Sequence, residues 1–208
     1  KAFGMKTLPT PPKNKAIVLV MYDQNFVSQR IAINIPVSFS VSGASQIQSL
    51  SFPAYPDAPA VTPLSVSLGD QKLGDTQLIV NTNALAARNL IQQYPMIFVR
   101  EALRFLAKST AVAAMQNSDH GNNNQNNFGA LLMQIYNVYS DQPDLRSWLT
   151  LPQDTQIGQY TLAPGTYHFQ FGNDDLTTDA DADLVANHYY LIWVRQYGKE
   201  IHAQVFSL

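Results

Sequence analysis

The stretch Ala16-Ile17-Val18-Leu19-Val20-Met21-Tyr22 decides the fold. It is an unbroken apolar run, bounded by Pro11-Pro12-Lys13-Asn14-Lys15 before it and Asp23-Gln24-Asn25 after it. It is short for a helix and rich in β-branched residues, so it reads as a strand covered on both faces and therefore central in its sheet. The next segment behaves differently. Ile31, Ile33, Ile35, Val37 and Phe39 alternate with Ala32, Asn34, Pro36, Ser38 and Ser40. That is the period of a strand with one apolar face. Pro36 lacks the N–H that a ladder needs, so this strand belongs at an edge or breaks there.

Shorter strands are expected over 46–52, 64–68 and 76–80, with a turn at 71–74. Thr82 or Asn83 can cap a helix through Gln93. Pro95 ends it and can open the next. That second helix covers 96–116, with Val99, Leu103, Leu106, Thr110 and Ala113 on one stripe. The Asn-rich stretch 117–127 has no apolar residue and is expected to be a mobile loop. Asn127 can cap a third helix carrying Phe128, Leu131, Leu132, Ile135, Val138 and Tyr139 at helical spacing. Strands return at 156–162 and 167–171, joined by the turn Ala163-Pro164-Gly165-Thr166. Tyr167, Phe169 and Phe171 share a face. A polar acidic loop is expected over 172–183. The strands 189–195 and 200–206 then form a hairpin around Tyr197-Gly198-Lys199. Strands, helices and strands in that order predict an α+β fold. It is a largely antiparallel β-sheet or sandwich, with about three helices inserted between the N-terminal and C-terminal strand groups. Residues 1–15 read as a linker in a fragment cut from a longer precursor, and 16–208 as a single domain.

Composition narrows the function classes. The chain has 208 residues and a net charge of −2, which gives no electrostatic footprint for nucleic acid or an anionic membrane. Only 13% of residues are charged, against about 25% in ordinary soluble domains. Cysteine is absent, which removes disulfides, thiol catalysis and Cys-based metal sites. No apolar run reaches the ~18 residues that a bilayer span needs.

The chemistry-bearing patterns are weak. Asp179-Ala180-Asp181-Ala182-Asp183 has the spacing of a calcium loop, but Leu184 and Tyr190 stand where such a loop needs Gly and Glu. A solvated acidic loop is the expected reading of Asp179, Asp181 and Asp183. The histidines His120, His168, His188 and His202 are too far apart in sequence to form a zinc pair on one helix. No nucleophile elbow and no phosphate loop is present. We therefore expect no catalytic residue, no metal and no cofactor. Arg100, Glu101 and Arg104 read as a polar helix face, with the two arginines one turn apart. Exposed aromatics such as Tyr160, Tyr189 or Trp193 offer an alternative glycan-binding surface, and a hydrolase site built from remote residues is a further alternative.

The run Asp144-Leu145-Arg146-Ser147-Trp148-Leu149-Thr150-Leu151-Pro152 concentrates charge, a large aromatic and a stiff Pro between helix and strands. We read Asp144, Arg146, Ser147, Trp148 and Pro152 as a structural brace. In it a guanidinium, partly buried, holds the Asp144 carboxylate, and Trp148 plugs the core nearby. Several pieces, in order, resemble one bacterial family. They are Ile17–Asp23, Ile33–Val37, Ser51–Pro56, Thr82–Arg88, the Asp144–Pro152 run and Leu162–Tyr167. The family is the C-terminal domain of uncharacterised envelope lipoproteins with a tetratricopeptide-like helical array upstream. The resemblance covers nearly the whole chain, and Asp-x-Arg-Ser-Trp-x-x-Leu-Pro is its most specific part. It implies a lipidated Cys and a helical repeat domain on a preceding segment. It also implies a periplasmic position, attached to the outer membrane through that lipid. It implies no activity. A non-enzymatic envelope module that binds a protein partner or stabilises an assembly is the expected function, and repeats of that kind offer extended protein-binding surfaces.

Overall fold

The computed structural model describes residues 12–41, 44–117, 143–173 and 176–208. Its element order is β1 (Ala16–Phe26), β2 (Ile31–Val41), β3 (Ala44–Ala54), β4 (Ser65–Leu68), β5 (Gln71–Asp75), β6 (Gln77–Asn81) and α1 (Thr82–Asn117). After it come β7 (Pro152–Leu162), β8 (Gly165–Asn173), β9 (Leu176–Leu184), β10 (Tyr189–Tyr197) and β11 (Glu200–Ser207). The chain divides into two compact units, one of Lys1–Val27, Pro59–Asn83 and Trp148–Leu208, the other of Ser28–Ala58 and Ala84–Ser147.

The first unit is a β-sandwich. One sheet has the order β11-β10-β1-β7-β6, with β1 at its centre. β1 runs parallel to β10 and antiparallel to β7. The second sheet has the order β5-β4-β8-β9 and is antiparallel throughout. Val18, Val20 and Tyr22 of β1 and Ile192 and Val194 of β10 meet Val66, Phe169 and Phe171 of the other sheet, and Leu64 just before β4, in one core. The turn at Pro164 passes the chain from β7 in one sheet to β8 in the other. At the β10–β11 hairpin Gly198 has φ +60° and donates its N–H to Asn25 Oδ1 at 3.0 Å, a backbone conformation that suits Gly. The Tyr160 ring lies over Gly158 on β7, where an added Cβ would meet it at 2.8 Å.

The second unit holds the β2–β3 hairpin and most of α1. Phe52 of β3 contacts Phe98 of the helix with ring centroids 4.7 Å apart, and Tyr94 donates its hydroxyl to the Pro53 carbonyl at 3.1 Å.

The expected fold class is corrected. The described residues form three sheets and one helix, a mostly β architecture in place of an α+β fold with about three helices. Two local readings account for much of the difference. Pro95 does not divide the helix, which runs continuously from Thr82 to Asn117. A Pro inside a helix removes one hydrogen bond and crowds the preceding turn. Here Tyr94 and Phe98 anchor that turn to β3. The acidic segment is no loop, because Leu176–Leu184 is strand β9. Ala180, Ala182 and Leu184 point inward while Asp179, Asp181 and Asp183 face solvent. Residues 71–75 likewise form strand β5 rather than a turn alone. The expected third helix at 128–139 lies outside the described residues, as do His120 and the Asn-rich stretch from 118 onward.

Candidate functional site: an arginine-lined cleft

The second unit contains a cleft of about 410 Å³, within the roughly 300–1,000 Å³ range of small-ligand sites. One stripe of α1 forms a wall, because Gln93, Met96, Ile97, Arg100, Glu101 and Arg104 recur at helical spacing. Arg30, just before β2, and Ser51 and Pro53 of β3 add to the lining, and the segment after residue 142 supplies Pro143, Asp144 and Arg146. Four guanidinium groups therefore line a space that holds two carboxylates.

The carboxylates are already engaged. Glu101, only 6% exposed, accepts from Arg104 at 2.8 Å. Asp144 accepts from Arg146 twice, Nε to Oδ1 at 2.9 Å and a terminal nitrogen to Oδ2 at 2.8 Å, and also from the Arg146 backbone N–H at 3.1 Å. Those hydrogen bonds from Arg146 hold the Asp144 carboxyl well below the usual carboxylate range, and they raise the Arg146 guanidinium in turn. Arg30 donates to the Tyr55 hydroxyl at 3.1 Å and to the Asp144 carbonyl at 3.4 Å, and its guanidinium stacks over the Tyr55 ring at 5.5 Å. Both of these hydrogen-bond acceptors are neutral, while the Arg30 charge adds weakly to the lowering of Asp144. Among the described residues Arg30 and Arg100 have no carboxylate partner.

The nine-residue run is thus placed differently from its reading as a brace. Asp144 and Arg146 pair, but the Arg146 side chain is 92% exposed, so the clasp closes in solvent. Trp148 is 78% exposed and fills no core. The Ser147 hydroxyl is buried without a partner among the described residues, and Pro152 opens β7 opposite Phe26.

The sandwich carries polar groups at one end of its core. Tyr22 donates to Gln196 Oε1, and Asn173 Nδ2 donates to both at 2.6 Å. Opposite Gln24 stands Asp154, fully buried. Its Oδ1 accepts from Gln156 Nε2 at 2.9 Å, and its Oδ2 has no partner among the described residues. Burial raises the Asp154 carboxyl above its ordinary value, the hydrogen bond from Gln156 opposes that, and the Asp23 charge adds to it. On the other face Asp23 accepts from Thr155 Oγ1 and from Trp193 Nε1, each at 2.7 Å.

The outer face of the β5-β4-β8-β9 sheet holds a shallow groove with His168, Ser65, Ser67, Gln170, Thr177 and Asp179. His168 Nδ1 lies 2.7 Å from Asp181 Oδ1, and its Nε2 is 4.0 Å from Asp179. Both ring nitrogens therefore face carboxylates, and among the described residues neither contacts a serine, so this is no nucleophile–base arrangement. Asp183 accepts from Thr166 at 2.6 Å. No group of three or more metal-ligating side chains occurs among the described residues. The hydrogen bond to Asp181 raises His168 above 6.5, with the Asp181 and Asp179 charges adding to it. The charged imidazole is favoured in acid, and the interaction is lost as pH rises through the raised midpoint. An NMR titration should place the His168 midpoint above 6.5, and Asp181→Asn should lower it. An unmoved midpoint in that variant refutes the pairing.

The aromatics weighed for glycan binding are committed elsewhere. Trp193 bonds Asp23 and carries the Arg195 guanidinium on its ring at 4.4 Å. Tyr160 covers Gly158, and the hydroxyls of Tyr160 and Tyr189 are buried without partners among the described residues. Sequence reasoning had named Arg100, Glu101, Arg104, Asp144 and Arg146. It missed Arg30, just before β2, and Ser51, inside β3, which no local pattern marks. No protein-family model, no curated protein and no solved structure matches the chain.

Proposed function

We propose that this chain is a non-enzymatic module of the cell envelope that binds a protein partner. The observation that carries the reading is the surface of the second unit. Ile31, Ile33 and Ile35 of β2 are each close to half exposed. Ile91, Met96, Phe98, Val99 and Leu103 of α1 are more than half exposed. Apolar side chains left in water on both elements of one unit are characteristic of surfaces that partners cover. The net charge of −2 argues against nucleic acid as that partner. The periplasmic setting, with an outer-membrane lipid anchor and a helical repeat array on a preceding segment, is supported by the resemblance of the Asp144–Pro152 run and its companions.

The test uses the full-length precursor in cells. A photo-crosslinking amino acid at Ile33 or Val99 is expected to give a discrete protein adduct. The same probe at Lys199, exposed on the sandwich, is expected to give none. No adduct at either apolar position, or equal labelling at Lys199, overturns the reading.

A further inference from the structure

We infer that the cleft of the second unit binds a carboxylate on an apolar stalk, an Asp or Glu side chain of the partner flanked by apolar residues. The inference rests on the protein-binding reading above and names the chemistry that the partner presents. Arg30 and Arg100 supply the charge, since the other two guanidiniums are occupied by Glu101 and Asp144. Arg30 is pre-oriented by Tyr55 and the Asp144 carbonyl, which leaves less rotamer freedom to lose on binding. A planar guanidinium can grip both oxygens of a carboxylate.

The rest of the lining selects what carries that carboxylate. Pro53, Leu90, Met96 and Ile97 border the same space. An inorganic anion set against them gives up water without apolar contact in return. An acidic side chain on an apolar segment satisfies both kinds of wall. Asp144 and Glu101 also matter for selectivity. Their negative charge sits beside the occupied arginines, so a bulky polyanion meets repulsion that a single carboxylate avoids.

Two fluorescein-labelled peptides test this with the intact chain, one alternating Leu and Glu, the other alternating Leu and Gln. Fluorescence anisotropy should show the Glu peptide binding and weakening as salt is raised, with the Gln peptide failing to bind. Arg100→Gln should weaken the Glu peptide by about tenfold or more, as expected for loss of a charge-assisted contact. Among the described residues Arg100 makes no ion pair, and circular dichroism of the variant verifies that it folds. Inorganic phosphate should displace the peptide only at much higher concentration. Equal binding of both peptides, or an unaffected Arg100→Gln variant, overturns the inference. Displacement by phosphate at or below peptide concentration assigns the cleft to a free anion and also overturns it. If the Ile33 and Val99 crosslinks persist while the Glu peptide does not bind, this inference fails and the protein-binding reading stands.

Discussion

Phe169→Ala is expected to lower the stability of the sandwich by about 3–5 kcal/mol, the usual cost of emptying a buried Phe site. Phe169 is fully buried. Its ring lies 6.2 Å from Phe171, nearly parallel, and 6.1 Å from Tyr167. It sits in the core beside β1 residues whose strand pairs on both sides, so the backbone around the cavity has little freedom to collapse. The loss therefore includes both the transfer of the ring to water and the void left behind. Phe169→Leu retains most of the volume and should cost roughly 1 kcal/mol. Denaturant unfolding in a Trp148→Phe background checks both variants, because Trp193 then reports on the sandwich alone. An Ala variant within about 1 kcal/mol of the parent would show that the core is not the one described.

Asp154→Asn is expected to stabilise the protein at neutral pH, by about 1 kcal/mol or more, because a buried charge costs more to desolvate than the neutral amide that replaces it. Asn keeps the volume and the Oδ1 acceptor that Gln156 uses while removing the charge from a site without a cation. The pH dependence follows from the direction of the shift. Asp154 is raised in the folded state from 3.8. Below that value the group is neutral whether folded or not, and the parent carries no penalty. As pH rises through the folded midpoint the charged form must be accommodated, and stability falls. The gain from Asn should thus be full above the folded midpoint and vanish in acid. Melting curves across that range check it. A variant less stable than the parent at neutral pH, or a difference independent of pH, would refute the account.

Much of the sandwich was legible in the sequence because its strands follow local rules. The run Ala16–Tyr22 read as a central strand, and β1 stands in the middle of its sheet. The alternation in Tyr167–Phe171 put Phe169 and Phe171 on one face, and both are buried. The pattern also held in Asp179-Ala180-Asp181-Ala182-Asp183, but Asp is a poor strand former, and the propensity hid the period. Cross-strand partners made the difference. Thr166 and His168 on β8 stand opposite Asp183 and Asp181 and bond to them. Pro95 misled in the same manner, as a local breaker overridden by packing of its neighbours against β3.

The cleft was only half visible. Arg100, Glu101 and Arg104 are related by helical spacing, and Asp144 and Arg146 by two residues of chain, so their groupings are local. Arg30 lies 70 residues before Arg100, and no periodicity links a position just before β2 to a helix face. The sequence alone determined the central, apolar character of β1, the shared face of Phe169 and Phe171 on β8, and the absence of cysteine and of strong net charge. Those are properties of neighbouring side chains and of composition, and the chain carries them before it folds. The tertiary structure decided that the acidic run is a strand, that Trp148 is in water, that Asp154 is buried with one oxygen unpaired among the described residues, and that four arginines share one cleft. Each depends on which distant segments pack together, which is set by the summed burial of the whole chain rather than by any local stretch of it.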